Sequence, residues 1–253
     1  MSIFGEEYAE IYNALNAGKD YSFEANFCLE IYRKHTNLQQ QPNSILDLAC
    51  GSGKHLAEFD GVAQRCGVDL SAEMIAVARG ELGEGVELLL GNINTLDLQR
   101  EFDLVTSLFH VLSYQFLVED AVLYMKSIAR HLRSGGIAVV DFWHRPAWDL
   151  DPPGTRERSL SVNGRQVSRV SRGVPNYLTG QVDIDISVEV LGTDNSPQRV
   201  HEVHYMRAFT IAEVELLAKL AGLSLKHCGT WGDINADISR NDWIGVAVLE
   251  HSR

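Results

Sequence analysis

The sequence predicts an α/β fold, a mainly parallel sheet wrapped by helices, in a single domain over 1–253 with an N-terminal helical cap (1–40) and an antiparallel β insertion (151–209). Three observations predict it. Between positions 44 and 142, short apolar runs alternate with helical patterns, the βαβ rhythm of a parallel sheet. The run Ile45-Leu46-Asp47-Leu48-Ala49 passes almost at once into Gly51-Ser52-Gly53, a tight turn at a strand's carboxyl end. After Arg145 the pattern changes to Val- and Ser-rich segments around Asn163-Gly164, a strong hairpin signal.

Residues 1–40 read as two helices joined by the polar turn Ala17-Gly18-Lys19-Asp20, the second carrying Phe23, Phe27, Ile31 and Tyr32 at helical spacing. Strands are expected at 44–50, 66–70, 86–90, 102–108 and 137–142; the last is continuously apolar until Asp141, as in the interior of a parallel sheet. Ser71 caps a helix reaching Arg79. A helix over 117–132 places Ala121, Tyr124, Ile128 and Leu132 on one face, with His131 and Arg133 suiting its dipole and Gly135-Gly136 stopping it. In the insertion, Val182, Ile184, Ile186, Val188 and Val190 alternate with Asp183, Asp185, Ser187 and Glu189, so those acids are read as a solvated face rather than catalytic groups. Thr210 and Glu213 make a capping box for a helix to Leu220, Gly222 stops it, and strands at 223–230 and 243–249 finish the sheet.

A formal net charge of -12 with no run of basic residues argues against a nucleic-acid partner, because phosphate neutralisation needs clustered Lys and Arg. No apolar stretch approaches the roughly 20 residues of a membrane span. Cys28, Cys50, Cys66 and Cys228 show no CxxC spacing, so a reduced, cytoplasmic protein is expected. His201 and His204 suggest a metal pair, but an offset of three on a strand points them to opposite faces, and no metal site is expected. Cys50 reads as a small buried residue rather than a nucleophile. The strand edges of the insertion need covering, which predicts a homodimer.

The chemistry centres on Asp47-Leu48-Ala49-Cys50-Gly51-Ser52-Gly53, where glycine lets a ligand approach the backbone. About 20 residues on, Asp69 ends the second strand, where a carboxylate can accept both hydrogen bonds of a ribose diol. The third glycine of the dinucleotide fingerprint is replaced by Leu56, and an acid, Asp47, precedes the turn. Such an acid suits a cationic amino group better than a pyrophosphate, which points to a nucleoside other than a dinucleotide.

This loop, with Gly67-Val68-Asp69-Leu70-Ser71 and Gly91-Asn92-Ile93, resembles the cofactor site of Rossmann-like class I methyltransferases that use S-adenosylmethionine. Gly18-Lys19-Asp20-Tyr21, the Phe142-Trp143 region, Val167-Ser168-Arg169-Val170-Ser171 and Ser239-Arg240 are similar to the nucleotide-amino-sugar N,N-dimethyltransferases of desosamine and mycaminose pathways, across nearly the whole chain. The resemblance implies a small-molecule acceptor, an amine on a sugar nucleotide. It implies that Asp47, Ala49, Gly51, Gly53 and Leu108 shape the cofactor site, that Asp69 binds the ribose, that Leu70 and Met74 border the adenine, and that Asn92 and Ile93 contact its edge and face. Asn92 departs from the acid often found there, although its amide oxygen can accept the same bond. Lys19 and Tyr21 would close over the methionyl group.

In-line attack of a neutral amine on a sulfonium asks chiefly for alignment and dryness. If a base exists, His110 is the first candidate, since it follows the fourth strand at the sheet's carboxyl edge, with Tyr114 and His144 after it. Arg240, aided by Arg145 or Arg169, is expected to hold the acceptor's diphosphate, and Trp143 to line its pocket. An O-methyltransferase, a glycine-type N-methyltransferase, an idle cofactor-binding scaffold and an NAD-dependent oxidoreductase are the competing readings.

Overall fold

The computed structural model describes residues 18–38, 41–162, 165–191 and 197–252. In chain order the strands are β1 (Ser44–Leu48), β2 (Gln64–Asp69), β3 (Glu87–Leu90), β4 (Phe102–Ser107), β5 (Leu132–Trp143), β6 (Thr155–Val162), β7 (Arg165–Asn176), β8 (Gln181–Leu191), β9 (Pro197–Arg207), β10 (Leu223–Thr230), β11 (Asp233–Asp237) and β12 (Ile244–His251). The described helices are α1 (Tyr21–His35), α2 (Lys54–Glu58), α3 (Ala72–Leu82), α4 (Val118–His131) and α5 (Ile211–Leu220). One sheet has the order β11-β10-β12-β5-β4-β1-β2-β3, the other β6-β7-β8-β9.

Strands β1 to β5 run parallel, and β12 is antiparallel to β5. Alternation along each strand feeds two cores. Leu46, Val105, Ala138 and Val140 pack with Ala121, Tyr124 and Ile128 of α4 and Val214 and Leu217 of α5. Ile45, Leu104, Ile137 and Val139 pack on the other face with Ala25, Cys28 and Ile31 of α1 and Ile75 and Ala78 of α3. A sheet covered on both sides explains the unbroken apolar runs of its central strands. The parallel order changes direction between β1 and β4, whose carboxyl ends therefore flank the crevice where such folds bind ligands.

The expected caps are present. Asp20 accepts from the Phe23 N–H, Ser71 from the Met74 N–H, and Thr210 and Glu213 cap α5 reciprocally. In the insertion, the alternate apolar residues from Val182 to Val190 are buried, and β6 pairs with β7 so that Val162 stands opposite Arg165. The turn residues Asn163-Gly164 and the first cap helix lie outside the described residues.

Two expectations need correction. Helix α4 ends at His131, before Gly135-Gly136, and β5 begins at Leu132. Leu132 is fully buried opposite Phe102, and the ladder slips between Phe102 and Leu104, so the glycines belong to an irregular strand start rather than a helix stop. Strand β11 was not expected; its short alternation is half exposed. Among the described residues, no helix is long and apolar enough to cross a membrane.

Gly67 on β2 fits beneath the glycine turn because a Cβ there would stand 2.6 Å from Leu56 Cδ1 and 2.8 Å from Cys50 Sγ. Gly67→Ala should therefore destabilise the protein by about 1–3 kcal/mol in urea denaturation and displace the turn above it.

Candidate active site

The turn after β1 is built from unusual backbone. Ala49, Gly51 and Gly53 have φ of 61°, 56° and 79°, values that cost little for glycine and more for alanine. At Gly53 a Cβ would strike Leu82 at 2.6 Å, so packing as well as φ requires glycine. At Gly51 a Cβ would meet nothing within 4 Å; that open space is a cradle for a ligand lying against the backbone. The carboxylate of Asp69 fastens the turn, because the Gly51 N–H donates to Oδ2 at 2.8 Å and the Ser71 N–H to Oδ1 at 2.9 Å.

Asp47 is 2% exposed and accepts from the Thr106 hydroxyl at 2.9 Å. Burial pushes its carboxyl up to about 6, against the lowering influence of His55 and Thr106. Burial also raises Asp69, while the N–H groups of Ser71 and Gly51 oppose the rise.

Leu70 is 72% exposed at the end of β2, an apolar side chain in place to cover a base. Met74 is buried and Leu108 belongs to the core, so both support the site from behind. Asn92 is exposed, and its amide oxygen already accepts from the Asn94 N–H at 2.9 Å; one lone pair remains for a ligand. Ile93 is half-buried against the core.

Lys19 closes the site from the cap. Its Nζ donates to Glu24 at 2.6 Å and lies 4.2 Å from the Phe109 ring centre. The other Glu24 oxygen meets His55 Nε2 at 2.7 Å, and Tyr21 packs edge-on against His55. Phe109 and His110 both have φ of 68°, a strained pair for non-glycine residues. The His110 N–H donates to Asp141 Oδ1 at 2.7 Å, and its Nδ1 stands 3.5 Å from Oδ2. Burial holds the His110 imidazole below its ordinary value despite the nearby Asp141 carboxylate.

Two cavities meet at this residue. One of about 290 Å³ is bordered by Lys19, Glu24, Phe109, His110 and Asp141. The other, about 400 Å³, lies between the two sheets, with Tyr114, Trp143, Trp243, Arg158, Arg169 and His204 on its walls. Phe109, His110 and Arg158 border both.

The structure thus brings together His110, Tyr114, Trp143 and Arg169, but not the remaining expected groups. His144 is buried, with Nδ1 3.1 Å from the Asp242 carbonyl; strand alternation turns it away from the cavity that Trp143 faces. Arg145 donates to the Tyr177 carbonyl and stacks over Trp148 and Tyr177, bracing the insertion. Arg240 is exposed on the turn closed by the Asp242 N–H and the Ser239 carbonyl. His201 is exposed and His204 buried, on opposite faces of β9 as expected. Cys50 is buried, and burial pushes its thiol up, as befits an inert residue.

Arg156, Arg158 and Trp243 were missed. A signal for Arg158 existed in the sequence: a hairpin signal centred on Asn163-Gly164 implies a register with Arg158 opposite Arg169, the pairing that β6 and β7 adopt.

Asp69→Ala should weaken S-adenosylhomocysteine binding by about 100-fold or more in calorimetric titration, since charged hydrogen bonds contribute roughly 1.5–3 kcal/mol each and the turn loses its fastening. For Asp47, the folded protein holds the proton more tightly than the unfolded chain, whose ordinary value is 3.8. Its contribution to stability is present below that value and lost as pH rises through about 6. Asp47→Asn should accordingly raise the ligand-free protein's stability at pH 8 by roughly 1–3 kcal/mol and give no gain at pH 4, measured by thermal unfolding.

A methyltransferase-domain family model matches residues 45–136. The chain is 30% identical over 224 residues to the dTDP-3-amino-3,4,6-trideoxy-alpha-D-glucopyranose N,N-dimethyltransferase of Streptomyces venezuelae, covering 87% of this chain and 92% of that protein. It is 32% identical over 191 residues to the dTDP-4-amino-2,3,4,6-tetradeoxy-D-glucose N,N-dimethyltransferase of Saccharopolyspora spinosa, covering 74% of each. The crystal structure of Streptomyces venezuelae DesVI matches with a TM-score of 0.82 and 27% identity, over 97% of this chain and 98% of that one. With a glycine cradle, a fastened carboxylate and an exposed apolar cover that fit S-adenosylmethionine, the chain belongs to the class I S-adenosylmethionine-dependent methyltransferases, in the family that includes these amino-sugar N,N-dimethyltransferases.

Proposed function

We propose that this enzyme N-methylates the amino group of a nucleotide-linked amino sugar. The observation that carries the reading is an arginine pair on the cavity wall. Arg158 and Arg169 stand directly opposite each other on β6 and β7, an arrangement that like charges disfavour. Among the described residues no carboxylate pairs with either, whereas the adjacent Arg156 is held by Asp151 at 2.5 Å. Two unneutralised guanidinium groups side by side suit a diphosphate, which they can bind bidentately. Trp143 and Trp243, edge to face with ring centres 5.5 Å apart, supply aromatic surface in the same cavity. The relatives' names, which are those of dTDP-amino-sugar dimethyltransferases, support the same acceptor class.

S-adenosylmethionine, when bound, supplies an electrophilic methyl group on a sulfonium. The chain's own residues align and dry the reaction. Asp69 and the glycine turn hold the nucleoside end. Lys19, locked by Glu24, and the aromatic residues Phe109 and Trp143 exclude water where the two cavities join. His110 stacks on Phe109 and tilts against Trp143. Burial disfavours its charged form, which suits a place beside a cationic donor.

With a dTDP-linked 3- or 4-amino sugar, mass spectrometry should detect one or two added methyl groups. Arg158→Ala and Arg169→Ala should each raise KM for the nucleotide sugar about 10- to 100-fold, with kcat and S-adenosylhomocysteine affinity nearly unchanged. Equal methylation of the free amino sugar and its nucleotide form would refute the diphosphate assignment.

A further inference from the structure

The inner face of the β6–β9 sheet is apolar along β8, where Ile184, Ile186 and Val188 are buried. On β9 that face is interrupted. Glu202 stands opposite Ile186 and His204 opposite Ile184, and the two side chains are 9% and 4% exposed. Placing a carboxylate and an imidazole among isoleucines is costly unless each is satisfied. They satisfy each other, with Glu202 Oε2 3.1 Å from His204 Nε2. The remaining ring nitrogen, Nδ1, lies 2.8 Å from the Tyr114 hydroxyl. Tyr114 ends the 3-10 turn Val111–Tyr114 that follows β4 and borders the acceptor cavity, as does His204. A buried carboxylate, an imidazole and a phenol thus run in line from inside the second sheet to the cavity surface.

The order of the three groups fixes the protons. A carboxylate oxygen accepts, so the contact to Glu202 Oε2 assigns the His204 proton to Nε2 and leaves Nδ1 as an acceptor. The Tyr114 O–H then donates to Nδ1, and the lone pairs of its oxygen face the cavity. The Tyr114 phenol is pushed up to about 12 by burial, so it carries its proton at neutral pH.

We propose that Tyr114, His204 and Glu202 form a proton relay that deprotonates the acceptor's ammonium before methyl transfer. Tyr114 is the catalytic residue, and His204 and Glu202 are positioning residues acting through it. The assignment rests on the amine acceptor argued above, because an ammonium has no lone pair and must lose a proton to become a nucleophile. One ammonium N–H bond breaks as its proton moves to the phenol oxygen, while the phenol's own proton moves to Nδ1. The N–H electron pair stays on nitrogen as the attacking pair, and the imidazolium formed is compensated by Glu202. Its proton passes to solvent after turnover, so each methyl transferred releases one proton. His110 is a poorer proton sink, since burial and the nearby Lys19 cation disfavour its charged form.

Among the described residues, the other charged and titratable groups lining the same cavity include Arg169 on β7, Arg156 and Arg158 on β6, His110 after β4 and Asp151. Of these only His110 is an imidazole, and it is held below its ordinary value.

The test compares wild type, Tyr114→Phe and Glu202→Gln, following kcat and KM for a dTDP-amino sugar from pH 6 to 10, with S-adenosylhomocysteine affinity as the check on folding. Tyr114→Phe should lower kcat about 100-fold at pH 7 with little change in KM, and the deficit should shrink as the solution pH itself deprotonates the amine. Glu202→Gln should move the acidic limb of the wild-type profile. Nitrogen NMR of His204 in the protein without acceptor should show the proton on Nε2. A pH-independent deficit in Tyr114→Phe, a wild-type profile in that variant, or a proton on Nδ1 would overturn the relay and leave the amine acceptor standing. A wild-type enzyme that binds S-adenosylhomocysteine but methylates only alcohols would overturn both.

Discussion

The site depends on one short piece of backbone, the turn between β1 and α2. Three residues with positive φ, Ala49, Gly51 and Gly53, fold the chain back sharply and leave open space against the backbone at Gly51. Within the turn the Gly53 N–H donates to the Cys50 carbonyl. From outside it, Asp69 at the end of β2 accepts from Gly51, and Asp47 is tied to Thr106 on β4, at the other side of β1. Parallel pairing of β2, β1 and β4 puts all three strand ends at one edge, so the sheet register is what makes a cofactor cradle out of a glycine turn.

Both acids pay for that role in electrostatic terms: burial raises each above its ordinary value. A cation arriving above the turn relieves the penalty on Asp47, which couples cofactor binding to the site's own stability. The strained pair Phe109 and His110 lies at the next strand end, where Asp141 receives the His110 N–H. The strained residues Phe109 and His110 border both cavities.

The second sheet supplies what the first cannot. Its inner face is ordered in rows across the strands: Arg158, Arg169 and Val188 in one, Ser171, Ile186 and Glu202 in the next, Gly173, Ile184 and His204 in a third. The two arginines, Glu202 and His204 therefore occupy different rows of one wall. Arg145 and the aromatic residues Trp148 and Tyr177 brace the junction, which explains why that arginine, expected to bind the acceptor, has a structural task instead.

The elements whose cause is local are legible in the chain. The alternation from Val182 to Val190, the caps at Ser71 and Thr210, the glycine turn and Asp69 at the next strand end are read from neighbours in the chain, because pleat, capping and positive φ act over a few residues. The tertiary structure alone decided which groups share a cavity. His144, Arg145 and Arg240 carry suitable chemistry, but strand alternation and surface position turn them elsewhere, while Arg158, Trp243 and the Glu202–His204–Tyr114 chain converge from segments far apart. Such convergence follows from cross-strand register and the packing of two sheets, and no local spacing encodes which side chains two separate surfaces will bring face to face.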